Sequence, residues 1–247
     1  MDYPVSALAI ICCAFLLAGI VKGVLGMGLP SVAMAILGLV MPPAQAASVL
    51  VVPSLVTNVW QLAAGPHAGS VMKRFAAMMA AICIGTFVGI ALLTGSSKAA
   101  SATLGIVLAL YGASGLAKLH FTVSRRHEPW LSPVIGFITG VLTGATGVFV
   151  IPAVPYIASL DLDKDALIQA LGLSFTVSTI ALAAGLIYTG HFHTSVGTVS
   201  LLALLPALAG MFAGQHIRGL LRPEVFRKWF FAALIAVGAF MAVRALA

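Results

Sequence analysis

Acidic residues are scarce in this chain. There are six Asp and Glu in 247 residues, against 13 Lys and Arg, and charged residues of both signs make up only 8% of the sequence. Soluble domains carry roughly 25% charged residues, so a soluble enzyme and a solvated disordered chain are both excluded. Cysteine is nearly as rare. Cys12, Cys13 and Cys83 all lie inside apolar runs, and an odd number so placed does not make a disulfide framework. No Gly-xxxx-Gly-Lys-Ser/Thr loop is present to cradle a nucleotide phosphate, so the chain is not itself an ATPase. The net charge of +7 and the pI of about 9.7 suggest nucleic acid at first sight. A nucleic-acid footprint needs basic residues gathered on one face of a soluble domain. Here they punctuate long apolar runs, which points to a lipid bilayer and to no nucleic-acid partner.

Apolar residues are abundant instead, at 61% of the chain with a mean hydropathy of +1.13. Pro, Gly and charged residues divide them into ten segments, at 5–25, 28–41, 44–64, 72–94, 99–119, 132–150, 151–160, 165–188, 196–214 and 225–246. Most are long enough to span as helices; the second and seventh are short, and each follows a glycine-rich break. The expected fold is an all-α polytopic membrane protein of eight to ten helices. The N-terminal Met-Asp-Tyr-Pro-Val-Ser has no basic region and no cleavage pattern after it, so the first segment reads as an uncleaved helix.

The segments repeat. Gln61-Leu-Ala-Ala-Gly65 matches Ala181-Leu-Ala-Ala-Gly185 at an offset of 120 residues, and the same offset places Ser54 over Ser174 and Asn58 over Ser178. Gly85-Thr-Phe-Val-Gly89 matches Gly210-Met-Phe-Ala-Gly214, and Gly23-Val-Leu25 matches Gly140-Val-Leu142. Three matches in order predict a duplication, with a first repeat at 1–120, a linker at 121–131 and a second repeat at 132–247. Lys73, Arg74, Arg125, Arg126, Arg218, Arg222, Arg227 and Lys228 lie between segments, whereas the loop 190–195 carries no Lys or Arg. Cytoplasmic loops hold the Lys and Arg excess. All the basic clusters fall inside only if each repeat crosses an odd number of times, which makes the repeats inverted and puts the N-terminus outside. Lys98 and Arg244 are exceptions to this assignment.

The two breaks carry the candidate chemistry. The first runs from Gly19 through Lys22, Gly23, Gly26 and Gly28 to Pro30 and Ser31; the second from Gly136 through Gly140, Thr143, Gly144, Thr146 and Gly147 to Pro152. Glycine allows unusual backbone angles and close approach of a ligand. Pro30 suits the first turn of a new helix, whose free N–H groups and positive dipole end attract an anion. The same small-xxx-small spacings also serve helix packing. Packing is the expected role of Gly19, Gly85, Gly89, Gly210 and Gly214, while both roles stand for Gly26, Gly28, Gly144 and Gly147.

The run Lys22-Gly-Val-Leu-Gly26-Met-Gly28 and its counterpart Gly140-Val-Leu-Thr-Gly144-Ala-Thr-Gly147 resemble the glycine-rich openings of the sulfite exporter TauE/SafE family. The Ala46-Ala-Ser48 helix start, with Asn58 in the same helix, and the two late Gly-xxx-Gly helices resemble it too. The sequence departs at Gly28-Leu-Pro30, where the family often has a longer glycine run and a later proline. The resemblance implies an inner-membrane permease for sulfite, sulfonates or other organosulfur anions. A channel-like anion pore and a permease for small carboxylates are the alternatives.

Lys22 falls inside the first apolar segment. A membrane-embedded charge marks a functional site, here a counter-charge for an anion; the alternative is a side chain snorkelling to the interface. Ser54, Asn58 and Gln61 share one helix face, as do Ser174 and Ser178 in the second half. Neutral donors of this kind bind sulfonate or carboxylate oxygens or join helices. The expected substrate-binding set is Lys22, Gly26, Gly28, Ser31, Asn58, Gln61, Thr143, Gly144, Thr146, Ser174 and Ser178. Asp2, Glu128, Asp161, Asp163, Asp165 and Glu224 all read as terminal or loop residues, with Asp163 or Asp165 capping a helix. A carboxylate relay in the membrane interior is therefore not expected, and a coupling proton or cation would need another route. His191-Phe-His193 is a weak metal motif. No cofactor, no resident metal and no enzymatic activity are expected; the partners are a small anion and the lipid bilayer.

Overall fold

A computed structural model describes residues 4–117, 122–220 and 222–246. The end of the 99–119 segment, His120, the 120/121 repeat boundary and Asp2 lie outside the described residues. The described chain is helical throughout: α1 (Val5–Leu25), α2 (Leu29–Leu37), α3 (Pro43–Ala63), α4 (Ala68–Arg74), α5 (Ala76–Thr94), α6 (Ser97–Leu116), α7 (Glu128–Thr146), α8 (Ala153–Ala158), α9 (Lys164–Tyr188), α10 (Thr194–Ile217) and α11 (Pro223–Leu246). Seven of these, α1, α3, α5, α6, α9, α10 and α11, are long and apolar enough to cross a membrane. The 72–94 segment starts earlier than expected and divides at Phe75 into α4 and α5, and the 151–160 segment holds only the six residues of α8.

The exterior is apolar and the interior is polar, the reverse of a soluble bundle. Ile84, Leu110, Leu205 and Phe240 are exposed, while Ser54, Thr57, Asn58, Thr139, Thr143, Ser174 and Ser178 are fully buried. Water would penalise so large an apolar surface; lipid does not. With lipid outside, close van der Waals packing and internal hydrogen bonds must hold the helices together.

Glycine supplies that packing. Gly19 and Gly23 of α1 lie directly on the backbone of α10 at Ala207, Met211 and Gln215, and Gly85 and Gly89 of α5 lie on α7 at Phe137, Val141 and Ala145. Residue numbers rise together along both contacts, so each pair runs parallel. Gly105 and Gly112 of α6 meet Gly238 and Phe231 of α11 in descending order, so that pair is antiparallel. α3 and α9 are antiparallel as well, since Asn58 meets Thr179 while Gln61 reaches back to Ile168.

These directions sort the loops onto two faces. One face carries the 38–45 loop, the α5–α6 turn, residues 190–196 and the end of α11, joined through two adjoining cavities that share Pro42 and Ser97. The opposite face carries α4, the 122–127 loop, Asp161, Asp163 and the start of α11. There Asp163 caps α9 by accepting from the Ala166 N–H at 2.8 Å. That bond, with His67 nearby at 3.8 Å, holds its carboxyl below the usual carboxylate range.

Two interior bonds follow from sequence features that looked unremarkable. Pro53 inside α3 has no N–H to give to the Val49 carbonyl. Ser200 of α10 fills the vacancy, donating to the Val49 oxygen at 2.8 Å while accepting from the Val52 N–H at 3.0 Å. Ser200→Ala is therefore expected to lower stability by about 1–3 kcal/mol, the cost of leaving a buried carbonyl unpaired; thermal unfolding in detergent measures it. Glu128, expected in a loop, instead opens α7. It is 8% exposed and accepts two bonds from Arg74, at 2.6 and 2.8 Å. The bidentate pair raises the Arg74 pKa and ties α4 to α7. Glu128→Gln is expected to cost about 2 kcal/mol, since bonds to charged groups exceed neutral ones. A melting temperature equal to wild type would dismiss that role.

Candidate functional site

The two glycine breaks end their helices in the same way. Gly26 and Gly147 have φ of +74° and +71°, a left-handed conformation that an L side chain rarely adopts. Each donates its N–H back four residues, to Lys22 at 2.7 Å and to Thr143 at 2.8 Å, and so terminates α1 and α7. The chain then turns into a short helix. Gly28, at φ +101°, begins α2 with no side chain capping it, and Pro30 sits in the first turn. After the second break a cis Ile151–Pro152 bond precedes α8. Six residues make α8 too short to present a developed helix N-terminus, whereas α2 has nine.

Lys22 is 4% exposed although only three residues from the end of α1. It does not snorkel: the side chain turns inward and its ammonium donates to the Asn58 side-chain oxygen. Asn58 in turn donates from its amide nitrogen to Ser54 Oγ at 3.0 Å and Thr179 Oγ1 at 3.4 Å, and Ser54 and Thr179 are 3.2 Å apart. Thr179 is anchored by donating to the Phe175 carbonyl at 2.7 Å. The Phe175 ring lies 6.0 Å from the ammonium, on the outer margin of cation–π range. A single chain of bonds thus links α1, α3 and α9 at a buried positive charge. An ammonium has three donors. Asn58 takes one, and among the described residues no carboxylate pairs with it.

Ser31, Ser174 and Ser178 are fully buried, and among the described residues their hydroxyls have no hydrogen-bond partner. Ser31 lies in the first turn of α2, and the other two lie one turn apart on α9. Buried hydroxyls normally find a partner, so each orphan asks for an explanation.

The other expected residues are committed elsewhere. Gln61 donates to the Ile168 carbonyl at 3.2 Å and joins α3 to α9. Thr143 and Thr146 donate to their own helix, at Thr139 and Leu142, and Thr146 Oγ1 also accepts the Val148 N–H at 3.1 Å, closing the second break. Gly144 packs against the α5 backbone at Thr86 and Ile90. Gly28 packs under the edge of Phe230, while Gly26 faces open space. The expected set therefore divides: Lys22 and Asn58 come together, Ser31, Ser174 and Ser178 have free hydroxyls, and the second break contributes geometry. Ser54, named on the Asn58 face but outside the expected set, joins the cluster, and so do Thr179 and Phe175 from α9. Ser54 is one turn from Asn58, but Thr179 and Phe175 depend on how α9 registers against α3.

A cavity of about 790 Å³ opens on the face that carries Asp161 and Arg227. It reaches inward to Met27, in the middle of the first break, whose sulfur accepts from the Tyr111 hydroxyl at 3.7 Å. Among the described residues no three His, Cys, Asp or Glu side chains come together to hold a metal, and His191 Nδ1 is 3.0 Å from the Thr189 carbonyl.

The family model described as Sulfite exporter TauE/SafE matches residues 11–241. No curated protein and no solved structure matches the chain. The family match covers all but the two ends of a chain that already has the helices of a multi-pass membrane protein. This chain is a transporter and not an enzyme, and it belongs to the sulfite exporter TauE/SafE family.

Proposed function

We propose that the chain is a secondary transporter that moves small anions, of the sulfite, sulfonate or other organosulfur class, across the inner membrane by alternating access. The observation that carries this reading is the buried ammonium of Lys22, which has Asn58 beside it and no carboxylate to neutralise it among the described residues. In a low-dielectric interior an uncompensated charge is costly, and an anionic substrate supplies the missing charge. Ser31, Ser174 and Ser178 have hydroxyls free to donate to its oxygens. Sulfite and sulfonate present three oxygens to such donors, more than a simple carboxylate does.

Two inverted repeats, 1–120 and 132–247 with 121–131 as a cytoplasmic linker, are the architecture for this cycle. The helix pairings support it. The first helix of each repeat packs parallel to the third long helix of the other, α1 on α10 and α7 on α5. α3 meets its counterpart α9, and α6 meets α11, both antiparallel. Residues 19–23 and 140–144 repeat the same glycine spacing at equivalent crossings. The face bearing Arg74, Arg125 and Arg227 is assigned to the cytoplasm by its basic residues, which leaves the N-terminus outside. The cavity ending at Met27 then opens inward, as in the cytoplasm-facing state of the cycle. Every described acid lies at or near that face, so a coupling proton or cation has no carboxylate relay through the bundle.

Purified protein in liposomes tests the reading. Uptake of labelled sulfite or sulfoacetate should saturate with concentration and show counterflow. A linear flux without counterflow would replace the transporter with a pore, and uptake of simple carboxylates alone would move the substrate out of the organosulfur class.

A further inference from the structure

Lys98 and Arg244 do not fit the charge rule that orients the rest of the chain. They are far apart in sequence, at the start of α6 and the end of α11, yet they line one cavity of about 530 Å³. Its other walls are the 38–42 loop, Ser97, Ser101 and Met241. The cavity lies on the face opposite Arg74, Arg125 and Arg227. Among the described residues that face carries no Asp or Glu, because Glu128, Asp161, Asp163, Asp165 and Glu224 are all at the other one.

The floor of the cavity is closely packed. A Cβ on Gly38 would meet the Met34 carbonyl at 2.7 Å and Leu104 and Met241 at 2.9 Å, so the loop is pressed onto α6 and α11. Arg244 is exposed, and among the described residues its Nη1 makes a single long contact, 3.5 Å, with the Leu39 carbonyl. Lys98 is exposed and forms no ion pair among the described residues. Among the described residues, the cavity therefore holds two cations with donors to spare, two serine hydroxyls and no acid.

We propose that this cavity is a second anion site, which takes an oxyanion of the sulfite or phosphate type on the face away from the basic loops. Its cations gather anions from that side, and the guanidinium of Arg244 offers two parallel donors to two oxygens of one ligand. A soluble anion and the phosphate of an anionic lipid share this chemistry, and the test separates them.

The experiment follows thermal unfolding in uncharged detergent with sulfite, with chloride at matched ionic strength, and with phosphatidylglycerol. It is run in a Lys22→Ala background, so that the buried site contributes nothing. The expected result is a rise in melting temperature with sulfite over chloride that survives Lys22→Ala. It should fall by more than half in Lys98→Gln and disappear when Arg244→Gln is added. Arg244→Lys should retain part of it. If phosphatidylglycerol alone produces the Lys98- and Arg244-dependent rise, the oxyanion is a lipid headgroup. A rise that is absent in the Lys22→Ala background with both probes, or that is unchanged by Lys98→Gln and Arg244→Gln, would overturn the second site. Lys98 is exposed, so its single substitution reads out even if Arg244→Gln disturbs the fold. Because binding is measured without transport, the result stands apart from the fate of the transport reading.

Discussion

Lys22→Met is expected to abolish saturable anion uptake while leaving the protein as stable as wild type or more so. The two halves of that outcome have different causes. Truncating one partner of a buried charge pair costs about 2–5 kcal/mol of binding, so uptake should fall on the order of 100-fold at subsaturating substrate. Stability does not fall with it, because relief of the unneutralised buried ammonium offsets the cost of leaving the Asn58 side-chain oxygen without its Lys22 donor. Lys22 is 4% exposed and has one neutral hydrogen-bond partner, Asn58, so its removal from the empty protein relieves an uncompensated charge. A lysine that merely helped the bundle fold would show the opposite pattern, a lower melting temperature with uptake per folded molecule preserved. Radiolabel uptake and a detergent melting curve on the same preparation distinguish the two. Unchanged uptake would remove Lys22 from the site.

Gly144→Ala and Gly23→Ala are expected to be among the most destabilising single-methyl changes in the chain. In each case the added Cβ points at main chain that cannot move aside: the Thr86 carbonyl and the Ile90 N at 2.8 Å for Gly144, the Met211 carbonyl and the Gln215 N at 2.8 Å for Gly23. Overpacking a core costs about 1–3 kcal/mol when side chains can shift. Here two helices must separate, and about 3 kcal/mol or more is expected. Gly69→Ala is the control, since its Cβ would meet open space. Gly26→Ala is the instructive intermediate. It has room for a methyl but sits at φ +74°, and the left-handed conformation costs an L residue roughly 1–2 kcal/mol. Melting temperatures in the order Gly69→Ala, Gly26→Ala, Gly144→Ala, from highest to lowest, would support both assignments. A neutral Gly144→Ala would show that α5 and α7 are not held in the contact described.

The class of this protein could be read from composition alone. With 61% apolar and 8% charged residues, no amount of tertiary detail could make it soluble. Segment boundaries followed from Pro, Gly and charge because those residues act locally. The two breaks were visible for the same reason: glycine at 26 and 147 meets a requirement of its own backbone. Lys22 stood out because a charge inside an apolar run is costly wherever the run is placed.

What the sequence could not settle were questions of register between distant helices. Lys22 could snorkel or turn inward, and only the position of Asn58 on α3 decided it. The glycines and threonines of the second break looked like a second half of a binding site. Packing against α5 takes Gly144, and the hydroxyls of Thr143 and Thr146 bond to their own helix, because α7 lies against α5 closely enough to leave no room between them. Glu128 read as a loop acid until α4 brought Arg74 to it across 54 residues. Lys98 and Arg244 were two unrelated exceptions to a charge rule until the antiparallel packing of α6 and α11 set them around one cavity. Hydrophobic period and residue type report which face of a helix is buried. Which buried faces meet is decided by helix crossings, and those depend on contacts between residues that the sequence places far apart.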